Sequence, residues 1–146
     1  MVFERDTIAN IDVKDVWSRL AANKSAQLID VRTPTEWSGI GIPDLAELRS
    51  DPILVEWPSI ADAPSLEAFA ADLETELKAR GVSRRDELFF ICRSGARSAA
   101  AARVMAAAGY SSCYNVAEGF EGPADQTGNR GTIAGWQAAG LPWTQG

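Results

Sequence analysis

Residues 89–103 read Phe89-Phe90-Ile91-Cys92-Arg93-Ser94-Gly95-Ala96-Arg97-Ser98-Ala99-Ala100-Ala101-Ala102-Arg103. An apolar run ends at a thiol, a short polar loop with one glycine follows, and an alanine-rich helical segment starts at once. The order predicts a strand, a tight loop and a helix, with Cys92 at the carboxyl end of the strand and at the mouth of the helix. Backbone N–H groups and the helix dipole at such a mouth favour negative charge, so an anionic sulfur is well placed there.

The same alternation extends outward in both directions. Upstream, residues 13–22 carry apolar side chains at helical spacing behind Asp12 as N-cap, and residues 27–31 form a short, largely apolar strand ending in polar residues. Thr33-Pro34-Thr35-Glu36 is a capping box with proline at the first helical position, which starts another helix. A strand at 53–55 and a long helix from Pro64 to about Arg80, stopped by Gly81, precede the central stretch. Downstream, a strand is expected at 112–116 and a short helix at 135–139. Strands alternating with helices predict an α/β fold: three layers, α/β/α, around a central, mainly parallel sheet of about five strands. The 146 residues fit a single domain. Ligands of such sheets bind beyond the carboxyl ends of the strands, where Asp30 and Cys92 would face one crevice.

Composition narrows the chemistry. The chain has no histidine, which excludes Ser-His and Cys-His catalysis and histidine-ligated metals. Its two cysteines, Cys92 and Cys113, have neither CxxC spacing nor the look of a disulfide framework, so no metal site is expected. No apolar run approaches the ~18 residues of a membrane span, and the start lacks signal-peptide order, so a cytoplasmic location and no membrane partner are expected. The net charge of −6 argues against nucleic acid as a partner. Yet residues 88–117 contain no Asp or Glu while holding Arg93, Arg97 and Arg103, so an acidic chain carries a basic stretch around its candidate nucleophile.

Three segments together resemble the rhodanese family of sulfurtransferases: Leu28-Ile29-Asp30-Val31-Arg32 with Pro34 and Glu36, the loop Ile91-Cys92-Arg93-Ser94-Gly95-Ala96-Arg97-Ser98, and Tyr114-Asn115-Val116 with Glu118-Gly119-Phe120, Gly135-Trp136 and Gly140-Leu141-Pro142. The resemblance implies a rhodanese-like fold and sulfur transfer through a persulfide on Cys92, with no cofactor. The donor would be a small anion such as thiosulfate or a persulfide, and the acceptor a thiol or a protein, replaced by cyanide in a test tube. Loop length matters here. Four residues separate Cys92 from Arg97. The similarly built cysteine phosphatases and arsenate reductases have one residue more, enough to enclose a tetrahedral oxyanion rather than a single sulfur atom.

Roles follow for the loop. Cys92 is the nucleophile. Arg93 projects outward toward the anionic donor, Ser94 and Ser98 either bond to the persulfide or cap the helix, and Gly95 permits a tight turn. Ala96 contributes its backbone, and Arg97 closes the loop. Asp30 and Arg32 form a supporting ion pair, and Cys113 is an inert, buried thiol. Two features depart from the family pattern. Ile40-Gly41-Ile42-Pro43-Asp44-Leu45 lacks the histidine usual at that turn, and residues 119–134 make a long, glycine-rich link that either covers the site or runs over the surface. A non-catalytic interaction module of the same type and a phosphatase or arsenate reductase are the alternative readings.

Overall fold

A computed structural model describes residues 8–145. Its centre is a five-stranded sheet of β1 (Ala9–Ile11), β6 (Cys113–Val116), β5 (Leu88–Ile91), β2 (Gln27–Asp30) and β4 (Ile53–Leu54), in that spatial order and parallel throughout. Four helices join them: α1 (Val13–Ala22), α2 (Pro34–Gly39), α3 (Ala63–Ala79) and α4 (Ala96–Ala107). The expected parallel α/β fold is the one observed.

Side-chain alternation along the central strands produces the layers. Leu28, Phe89 and Ile91 face one side of the sheet and pack with Val13, Val16 and Leu20 of α1, together with Phe120 and Trp136. Ile29, Leu88 and Phe90 face the other side, against Phe69, Leu73 and Leu77 of α3 and Ala101, Ala102 and Met105 of α4. Both faces of β2 and β5 are therefore buried, which explains the continuous apolar sequence of β5, Leu88-Phe89-Phe90-Ile91. The alanines of α4 let that helix lie close to β5 and β6.

Helix starts follow local chemistry. Asp12 accepts from Lys14 N at 2.9 Å ahead of α1, and Thr33 and Glu36 form the reciprocal capping box of α2. α3 begins at Ala63, with Asp62 as its N-cap accepting from Ser65 N at 2.8 Å.

Two strands outside the central sheet pair antiparallel, β3 (Ile42–Pro43) with β7 (Trp143–Thr144). This small ribbon holds the turn that departs from the family pattern. The short helix expected at 135–139 is instead a series of turns. Gly135 and Gly140 adopt φ of 101° and 76°, and one helical bond, Ala139 N to Gly135 O at 2.9 Å, is not propagated.

Candidate active site

Strands β2 and β5 end side by side, with Asp30 opposite Ile91. Cys92 follows immediately, and its Sγ is almost fully enclosed, 1% of the residue being exposed. The sulfur receives Gly95 N–H at 3.2 Å and Ser98 N–H at 3.3 Å, and Ser98 Oγ lies 3.1 Å away. Gly95 adopts φ 110°, and a Cβ there would collide with the carbonyl of Ala117. Glycine is thus what lets the loop turn back over its own sulfur. Among the described residues, the N–H groups of Arg93, Ser94, Ala96 and Arg97 have no protein acceptor. They form an open set of donors at the start of the 12-residue α4.

The loop is held from behind. Phe120 N donates to Cys92 O at 2.8 Å, and the N–H groups of Glu121 and Gly122 both donate to Arg93 O at 3.1 Å. Gly119 sits so close to the Arg93 carbonyl that a Cβ would overlap it. The long link is therefore two things: residues 119–122 are the backing of the active loop, while much of 123–129 is exposed. Phe120 and Trp136 are fully buried in the core on the α1 side of the sheet.

Charged neighbours are placed by β2. Asp30 and Arg32 are both fully buried and joined through Arg32 Nη2 to Asp30 Oδ2 at 2.7 Å and Arg32 Nε to Asp30 Oδ1 at 3.0 Å. Arg32 Nη2 also donates to Gly41 O at 2.7 Å, and its guanidinium lies 4.2 Å from the Phe120 ring centre. The expected ion pair is present, and it anchors both the β3 turn and the segment backing the loop. Removing one partner of such a pair costs about 3–5 kcal/mol, because the other is left buried and uncompensated.

Arg97 extends from α4 to the carboxylate of Glu36 on α2, at 2.7 Å and 3.0 Å. Burial acts to raise Glu36, but hydrogen bonds from Arg97 and Thr33 outweigh it and hold its carboxyl at about 2. The Glu36 hydrogen bond in turn pushes Arg97 upward, against burial. A guanidinium at a helix N-terminus opposes the dipole, and this carboxylate offsets it. In the sequence Glu36 is legible as a helix cap and as part of the segment around Asp30 and Arg32, but its pairing with Arg97 depends on β2 and β5 being neighbours.

Arg93, Ser94 and Ala96 are exposed, and Arg93 forms no ion pair among the described residues. The two serines separate clearly. Ser98 is buried against the sulfur, whereas Ser94 makes no hydrogen bond to it, and neither caps α4, whose N-cap is Gly95. Burial pushes the Cys113 thiol up to about 12, consistent with an inert group in the core. Asn115, which the sequence reading did not single out, accepts from Ser98 Oγ at 2.6 Å.

Comparison with known proteins gives the same picture. A family model described as the STR4 middle domain matches residues 9–146. The uncharacterized protein RC0915 of Rickettsia conorii is 33% identical over 137 residues, covering 94% of this chain and 98% of that protein. The crystal structure of Rv0390 from M. tuberculosis superposes with a TM-score of 0.79 at 40% identity, over 96% of this chain and all of the other. The chloroplastic rhodanese-like domain-containing protein 4 of Arabidopsis thaliana is 22% identical over 132 residues, 90% of this chain but 25% of that longer protein. With its parallel five-stranded sheet and its cysteine loop at the mouth of α4, the chain belongs to the rhodanese-like family.

Proposed function

We propose that this protein is a sulfurtransferase that carries a sulfane sulfur atom on Cys92. The observation that carries the reading is the six-residue loop from Cys92 to Arg97, which aims the N–H of Gly95 at Sγ and leaves four further N–H groups without acceptors among the described residues. Donors arranged this way complement an electron-rich sulfur and a second sulfur attached to it.

In the first half-reaction the Cys92 thiolate attacks the outer sulfur of a donor such as thiosulfate. A Cys92–sulfur bond forms, the donor's sulfur–sulfur bond breaks, and sulfite leaves with the electron pair. In the second, an acceptor thiolate attacks the outer sulfur of the persulfide and takes it, returning Cys92 as thiolate. Neither step needs a general base, so a chain without histidine suffices. No cofactor enters the scheme, and a reducing compartment such as the cytoplasm suits the thiol. Arg93, exposed beside the nucleophile, is the group for the donor's sulfonate oxygens. Arg97, committed to Glu36, shapes the loop instead.

The test is incubation with thiosulfate, followed by intact mass and by addition of cyanide. Wild-type protein is expected to gain the mass of one sulfur atom on Cys92 and to release thiocyanate, and Cys92→Ser to do neither. Unchanged turnover in Cys92→Ser would overturn the mechanism. Absence of both signals in the wild type would favour a binding module, and hydrolysis of an aryl phosphate would favour a phosphatase.

A further inference from the structure

Behind the sulfur runs a chain of polar side chains that sulfur transfer, as set out above, does not use. Ser98 Oγ lies 3.1 Å from Cys92 Sγ and 2.6 Å from Asn115 Oδ1, and Asn115 Nδ2 donates to Asn10 Oδ1 at 3.1 Å. Ser98 is fully buried and Asn115 is 5% exposed, while Asn10 lies exposed on β1 at the sheet edge, opposite Asn115. The chain therefore leads from the nucleophile through the core to solvent.

A hydroxyl has one proton to give. With an amide oxygen before it, Ser98 gives that proton to Asn115 and leaves its own oxygen to accept from Cys92. That polarity suits a thiol. An anionic sulfur requires the reverse, with Ser98 donating to the sulfur and accepting from Asn115. The reverse is reached if the Asn115 amide turns over and presents Nδ2 to Ser98. Its oxygen then faces Asn10, whose amide, free to turn at the surface, offers its own Nδ2. Ser98 Oγ and both the oxygen and the nitrogen of the Asn115 amide keep a partner in both arrangements, which no carboxylate or apolar side chain at position 115 allows.

We infer that Asn115 is a positioning residue for Cys92, and that the Asn10–Asn115–Ser98 chain reverses its hydrogen-bond polarity when the thiol ionises. The inference rests on the reading of Cys92 as a sulfur-carrying nucleophile. On ionisation the thiol proton leaves to solvent water, and Ser98 turns its hydroxyl to the sulfur. Once the persulfide has formed, Sγ no longer carries the charge and the Ser98 proton returns to Asn115. Charged groups also lie on the elements next to the loop: Arg93 in the loop itself, Arg97 of α4 paired with Glu36 of α2, and the Asp30–Arg32 pair at the end of β2. None of them belongs to the chain, so its contribution is separable from theirs.

Asn10→Asp tests this from the exposed end. A carboxylate there only accepts, so it holds Asn115 Nδ2 outward and Oδ1 on Ser98, the thiol polarity. Alkylation of Cys92 by iodoacetamide, followed by peptide mass, is expected to slow by about three- to fivefold near pH 7. The loss should persist in high salt and shrink as the pH is raised. In a Ser98→Ala background Asn10→Asp should change nothing, and Asn115→Leu should make the rate equally indifferent to position 10. An unaffected rate, rescue by salt, equal slowing at every pH, or undiminished slowing with Ser98→Ala would each overturn the relay. Alkylation needs no sulfur donor. Missing thiocyanate from the wild type thus counts against sulfur transfer alone, and a rate indifferent to Asn10 counts against the relay alone.

Discussion

Arg97 and Glu36 meet as a two-pronged pair, Nη1 to Oε1 at 2.7 Å and Nη2 to Oε2 at 3.0 Å, and so tie the first turn of α4 to the first turn of α2. The two helices follow neighbouring strands, so the pair bridges the segments that leave the carboxyl ends of β2 and β5. It fixes the residue that ends the Cys92 loop.

The pair predicts a pH window. Glu36 is held at about 2, below its ordinary value of 4.5, so its contribution to stability is complete above about 4.5 and is lost as the pH falls toward about 2. Urea denaturation should find Glu36→Gln less stable than wild type by about 1 kcal/mol near pH 6, an amount discounted for partial exposure of the pair. The gap should close as the pH drops through that window. A gap that is constant with pH would show that the charge on Glu36 is not what matters.

Arg93 stands outside this network and predicts a kinetic effect instead. Replacing it by alanine should raise KM for thiosulfate by about tenfold with little change in kcat, while a neutral donor such as an organic trisulfide is hardly affected. Steady-state assays with the two donors decide the matter. Equal losses on both would remove Arg93 from donor binding.

Gly119→Ala should be far worse than Gly128→Ala. Both glycines adopt positive φ, 73° and 85°, so both substitutions carry a backbone cost of about 1–2 kcal/mol. Only at position 119 does the added Cβ meet the Arg93 carbonyl, whereas nothing lies within 4 Å at position 128. Thermal melts should show the larger loss of stability for Gly119→Ala, and sulfur transfer should fall further than stability explains. Equal behaviour of the two variants would mean that the backing of the loop is unimportant.

Features decided by local chemistry were legible in the sequence. The Thr33–Glu36 capping box, the Asp12 cap and the strand–loop–helix at Cys92 each depend on residues within a few positions of one another, and each is found in the structure. The Asp30–Arg32 pair was readable for the same reason. Non-local features were not. β1 has two of its three residues exposed and so lacks a buried pattern, and β3 and β7 are two residues each, defined only by pairing across the chain. Glu36 as partner of Arg97, and Asn115 as partner of Ser98, depend on which strands lie side by side. The turns at 135–140 carry helix-like apolar spacing, but two glycines at positive φ interrupt any helix.

The backing of the loop also has a consequence for how the protein is made. The carbonyls of Cys92 and Arg93 are engaged by the amides of Phe120, Glu121 and Gly122, and Gly95 is packed under Ala117. During synthesis these partners emerge after the thiol itself. A nascent chain that ends before Gly122 thus carries Cys92 without the surroundings that shape it. On the proposed reading, Cys92 gains its reactivity only once residues 117–122 have docked, and truncation just ahead of Phe120 should remove that reactivity while leaving the strands of the central sheet in place.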